Sequence, residues 1–216
     1  MKRRTVIAAW AGTALVPIVP IVHSAADPVT LGGPRVDRSR LPKPGSYPLP
    51  VIQACPDGDV LTHEGRAARL HNVLAGRVSL LAFMYTYCRD AYGCPLAFKV
   101  MTELHAGLAN TPALSRRAQL VSLSFDPSND TPEQMARFGH EHLRDPRVQW
   151  RFLTTASVPK LLPLLRGLGQ EVTVEMDAKG QPTRTLNHML KLFLIDEQRR
   201  VREIYSVNTV DAQAVI

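Results

Sequence analysis

Hydrophobic and polar positions change their period several times along the chain, and each change marks an element. Residues 27–59 keep no period. Pro28, Pro34, Pro42, Pro44, Pro48, Pro50 and Pro56, with Gly32, Gly33, Gly45 and Gly58, rule out helix and central strand and predict an extended tether that can pack only late in its course. From Val60 the pattern becomes globular. Residues 60–61 and 67–70 flank a polar Thr62-His63-Glu64-Gly65-Arg66, which predicts a hairpin turning at Gly65. Residues 74–77 read as a loop. The continuous apolar run 78–85 predicts a strand buried on both faces of a sheet. Pro95 then opens a segment with Leu96, Val100, Leu104 and Leu108 at four-residue spacing, an amphipathic helix to about Ala109.

Residues 119–125 predict the next strand. Thr131-Pro132-Glu133-Gln134 is a capping box with proline at the first helical position, so a helix is expected from there to about Leu143. A strand follows at 149–153. Ser157 is placed to cap a short helix that Pro163 distorts and Gly167 ends. Strands at 189–195 and 199–206 form a last hairpin turning at 196–198, and residues 210–216 open a final helix. Strands and helices alternate through the middle, which predicts an α/β fold, a central mixed sheet flanked by helices with an N-terminal hairpin.

Charge adds an address. The 216-residue chain carries 26 Lys and Arg against 19 Asp and Glu, a net +7. Lys2, Arg3 and Arg4 stand at the extreme N-terminus, before an uncharged run from Thr5 to Val22 and a small-residue Ser24-Ala25-Ala26. That is the anatomy of an export signal, residues 1–26; an uncleaved membrane anchor is the rival, weakened by Pro17 and Pro20. The expected organisation is therefore leader 1–26, Pro-rich tether 27–59 and one domain 60–216, working in the periplasm and attached to the membrane only if the leader stays. No basic cluster with interleaved aromatics points to nucleic acid.

Candidate chemistry centres on Cys88 and Cys94, which bracket a strand-to-helix crossover, the thioredoxin arrangement. A thiol at a helix N-terminus meets unpaired N–H groups and the helix dipole, which favour thiolate. With Cys55 the cysteines number three, an odd count that excludes a disulfide framework; Cys55 reads as a small packing residue. Two thiolates permit reversible disulfide formation or soft-metal coordination. His188, at the entry to the 189–195 strand, is the candidate third ligand. Two sulfurs and one imidazole suit copper, with thiolate favouring Cu(I) and histidine helping to hold Cu(II); a loop histidine that merely hydrogen-bonds is the competing reading. His140 and His142 lie two apart on a helix and point in different directions. His63, His71 and His105 have no sequence partners, Met84, Met101 and Met189 read as core, and Asp126-Pro127 reads as a turn with Asp126 close to the site. No phosphate loop or serine elbow is present.

Three blocks in order resemble the Sco/SenC family, thioredoxin-fold proteins of copper delivery to cytochrome c oxidase. Phe83-Met84-Tyr85-Thr86-Tyr87-Cys88 with Cys94-Pro95 is similar to its F-x-Y-T-x-C…C-P. Ser124-Phe125-Asp126-Pro127 with Asp130-Thr131-Pro132 is similar to S-F-D-P-x-x-D-T-P. Asn187-His188 leading to Leu194-Ile195-Asp196 is similar to D-H followed by a strand ending L-I-D. The resemblance implies one copper ion held by Cys88, Cys94 and His188. It also implies a metallochaperone rather than an enzyme, and delivery to the copper-bearing oxidase subunit, with other periplasmic thiol or copper carriers as further partners. Some members are thought to act as thiol-disulfide reductases, which makes Cys88 and Cys94 a redox pair in the alternative. This chain departs from the pattern twice. Five residues rather than three separate the cysteines, with Gly93 expected to let the longer loop curl, and Asn187 replaces an aspartate.

Overall fold

A computed structural model describes residues 46–88, 90, 93–206, 210 and 212–215. The expected leader and most of the tether lie outside the described residues. In chain order the strands are β1 (Gln53–Ala54), β2 (Asp59–Thr62), β3 (Ala67–Arg69), β4 (Val78–Met84), β5 (Ala118–Ser124), β6 (Gln149–Thr154), β7 (Val172–Met176), β8 (Pro182–His188), β9 (Lys191–Ile195) and β10 (Arg200–Ser206). The helices are α1 (Leu70–Leu74), α2 (Cys94–Ala109), α3 (Pro112–Ser115), α4 (Pro132–Phe138), α5 (His140–Leu143), α6 (Val158–Gly167) and α7 (Ala212–Val215). None of the described helices is long and apolar enough to cross a membrane.

Eight strands make one mixed sheet in the order β1-β10-β9-β4-β5-β6-β2-β3. β4, β5 and β6 run parallel, as they must when helices carry the chain back between them, and β9 joins β4 antiparallel. The central strands are apolar on both faces: Leu81, Leu120, Leu123, Phe152, Leu153 and Phe193 are completely buried. The hairpin β2–β3 turns at Gly65 in the left-handed region, φ 79°. On the far edge β1 pairs with β10, so the end of the proline-rich stretch is stitched to the sheet and Cys55 is buried behind it.

Four local expectations fail for identifiable reasons. Residues 70–74 form a helical turn rather than strand and loop, because Leu70, Val73 and Leu74 all reach the core only at helical spacing. The helix expected to run to Leu143 breaks at Gly139 into α4 and α5, where any side chain would overlap the Phe152 ring. Thr131 caps α4 by accepting from Gln134 N, but the Gln134 side chain accepts from Arg137 instead of reaching back, so half the box forms. Ser157 precedes α6 without a side-chain cap; its carbonyl accepts instead from Lys160 and Leu161. The largest omission is the two-stranded antiparallel sheet β7–β8, turning at Asp177–Gly180, which the sequence reading left without structure.

Candidate functional site

β4 ends at Met84, deep in the core, and delivers Tyr85, Thr86, Tyr87 and Cys88 to the carboxyl edge of the sheet. This is where an open α/β sheet presents its ligand-binding side chains. The loop is held from below by Asp130. Its carboxylate is fully buried and accepts from Thr86 N, from Thr86 Oγ1 at 2.5 Å and from Ser124 Oγ at 2.5 Å. Burial raises its pKa, and those three donors pull the other way. Tyr87 donates its hydroxyl to Asp126, whose carboxylate also accepts from Ser128 N and Asn129 Nδ2, so Asp126 is at once a turn residue and an anchor of the cysteine loop. The Arg184 guanidinium lies 4.7 Å over the Tyr87 ring, tying the loop to β8.

Cys94 is the first residue of α2 and is buried; Cys88 is half-buried on the loop before it. The two thiols stand as neighbours, and the Cys88 sulfur adds to the cost of ionising Cys94. Gly93 makes this possible: a Cβ there would stand 3.1 Å from Cys88 Sγ, so the sulfur occupies the space a side chain would take. The expectation that the helix start favours thiolate is overturned at Cys94. Burial drives its pKa well above the usual thiol range, outweighing the Tyr85 and Cys94 backbone N–H groups that favour the anion. Tyr85, itself buried, lines the same recess as Cys88 and accepts from Leu186 N at 3.4 Å through its hydroxyl, linking the cysteine loop to the hairpin.

His188 is the last residue of β8 rather than an entry loop to β9. Its Nδ1 lies 2.8 Å from the Leu186 carbonyl. A carbonyl only accepts, so Nδ1 carries the proton and the Nε2 lone pair is left to face Cys94 Sγ at 4.0 Å. Phe125 packs against the ring at 4.3 Å between centroids and Tyr85 at 6.0 Å. Burial lowers its pKa, which keeps the imidazole neutral and able to donate electrons. Sulfur and nitrogen bonded to one transition-metal ion stand roughly 3.5–4.4 Å apart between tetrahedral and linear geometry, so this pair is already at a ligating separation. No three such side chains stand close enough to form a complete cluster among the described residues. Buried Cys94 and half-buried His188 thus form a half-site, with Cys88 on the loop beside it.

The other candidates lie elsewhere. Met84 and Met101 are core, but Met189 is 65% exposed, because the chain leaving β8 turns outward there while Leu190 alone faces in. His71 donates from Nε2 to the Cys55 carbonyl, and His142 packs tilted against Trp150 at 4.3 Å between centroids. Sequence reasoning gave no role to Asp130, Tyr85 or Phe125. All three stand at matched positions of the family motifs, and Asp130 also stands directly before the capping Thr131.

A family model described as SCO1/SenC matches residues 59–216. No curated protein sequence matches the chain. Among solved structures, a SCO1/SenC family lipoprotein from Bacillus anthracis is 23% identical and superposes with a TM-score of 0.63, over 78% of this chain and 95% of that one. Arabidopsis thaliana ScoI, solved with copper bound, is 17% identical with a TM-score of 0.62, over 75% and 92%. BsSco, a Sco-family cytochrome c oxidase assembly protein in which a disulfide switch was identified, is 20% identical with a TM-score of 0.59, over 78% and 94%. These likenesses establish the shared thioredoxin-like fold.

Proposed function

The chain belongs to the SCO1/SenC family, and from that premise we propose that it is an exported copper-binding metallochaperone serving assembly of the binuclear copper site of cytochrome c oxidase. Cys88 and Cys94 supply thiolates and His188 Nε2 the third donor. The observation that carries the reading is the Cys94–His188 pair: a neutral imidazole, its proton fixed on the far nitrogen, aimed at a buried sulfur from 4.0 Å. Two soft sulfurs with one imidazole select copper over hard cations. Each thiol gives up its proton on binding, so loading releases protons and is opposed by acid. Cys88 is the more exposed sulfur and is the one a partner thiolate reaches first. Unloading is ligand exchange: partner cysteines replace Cys88, then the Cys94–His188 pair. Copper-bound relatives such as Arabidopsis thaliana ScoI support the cargo.

A second reading has its own observation, two neighbouring free cysteines at the strand-to-helix crossover, one half-exposed and one buried. In it Cys88 attacks a partner disulfide, Cys94 resolves the mixed disulfide, and no metal takes part; the disulfide switch identified in BsSco supports it. His188→Ala separates the two. Anaerobic titration of the reduced chain should give one copper per chain in the parent and lose that tight equivalent in the variant, while the variant's dithiol still cycles. Full copper retention in the variant would leave only the dithiol reading.

A further inference from the structure

We propose that the amino ends of β4, β5 and β6 form a binding site for a phosphoryl anion, built by Arg77, Arg116 and Arg151 with His63, at the pole of the sheet opposite Cys88 and Cys94. A cavity of about 620 Å³ lies there, lined by five arginines and only two carboxylates. Arg66 pairs with Glu64, and Arg147 with Asp145. The remaining three guanidiniums have no carboxylate partner among the described residues. Arg77 donates to the Ser115 and Ala118 carbonyls, and half-buried Arg151 donates through Nε to Gln119 Oε1, leaving its Nη groups for the cavity. Holding a half-buried cation without a counter-ion is costly. Burial and the neighbouring Arg77 charge lower the Arg151 pKa and outweigh the opposing pull of Glu64, a strain that a bound anion would relieve. On the same wall His63 Nδ1 is shielded from solvent and has no partner among the described residues.

Three unpaired charges around one cavity call for an anion carrying more than one charge and several acceptor oxygens, which a phosphoryl group supplies and the planar guanidinium fork fits. The volume suits a small molecule or a lipid headgroup. The site is independent of the cysteines: Arg77 precedes β4 and Cys88 follows it, seven strand residues or roughly 23 Å apart.

Inorganic pyrophosphate titrated calorimetrically into the full chain at low salt is the first probe. Vesicles of phosphatidylglycerol in phosphatidylcholine are the second. Binding should weaken about tenfold or more in Arg151→Gln and in Arg116→Ala, with copper stoichiometry unchanged in both. Arg116 is exposed, so its variant keeps the test valid should Arg151→Gln fail to fold. Arginine-dependent vesicle binding displaced by pyrophosphate assigns the site to a lipid headgroup; arginine-dependent pyrophosphate binding alone assigns it to a soluble phosphate. Binding of neither probe, or binding indifferent to both substitutions, overturns the proposal.

Discussion

At the scale of single residues, the site is governed by where protons sit. The Leu186 carbonyl fixes the His188 tautomer, and burial keeps that ring neutral while keeping the Cys94 proton on its sulfur. Tyr85 adds the third control: it lines the recess beside Cys88 and its hydroxyl accepts from Leu186 N, so one side chain spans the loop and the hairpin. Tyr85→Phe removes that oxygen and little else. Copper affinity should fall about 10–100-fold, the usual effect of losing a group that orients ligands, while the thermal midpoint moves by only a few degrees; isothermal competition against a chelator reads the first and calorimetry the second. The two cysteines and His188 were legible as candidates in the sequence because soft donors at a strand–helix crossover are chemically conspicuous. The raised Cys94 pKa was not, because a helix start is visible in a sequence and the depth of its burial is not.

Among elements, β4 and α2 followed directly from an unbroken apolar run and a four-residue stripe. The β7–β8 hairpin did not, although Val172-Thr173-Val174-Glu175-Met176 alternates and Asp177–Gly180 makes a turn. Its strands are exposed or half-exposed along nearly their whole length, so no buried face writes a strong period into the sequence. Yet this hairpin positions His188 against α2, and the cysteine loop is anchored separately by Asp130. Asp130→Asn keeps the shape but replaces an all-acceptor carboxylate by an amide whose NH2 faces hydroxyl and N–H donors. Chemical denaturation should show a loss of about 1–3 kcal/mol, and copper binding should weaken along with it because Thr86 precedes Cys88 by two residues.

For the whole molecule, four imidazoles titrate against the fold. Burial lowers the pKa of His63, His105, His142 and His188 in the folded state. His105 shows the contest most clearly: Asp145 stands 3.7 Å away and favours its charge, but the ring is 7% exposed and burial wins. As pH falls through the ordinary imidazole value of about 6.5, the unfolded chain binds protons that the folded chain refuses. The stability these rings contribute is complete above that value and is lost as pH drops towards their folded values. Urea midpoints should therefore decline from pH 7.5 to pH 5.5, and His105→Gln should flatten that slope; a midpoint that rises on acidification would contradict the assignment.

X-ray absorption of the copper-loaded, reduced chain tests the centre of the account most directly. Two sulfurs and one imidazole nitrogen around a single copper are expected, with the nitrogen scattering gone in His188→Ala. A shell of sulfurs alone in the parent protein, unchanged by that substitution, would contradict it.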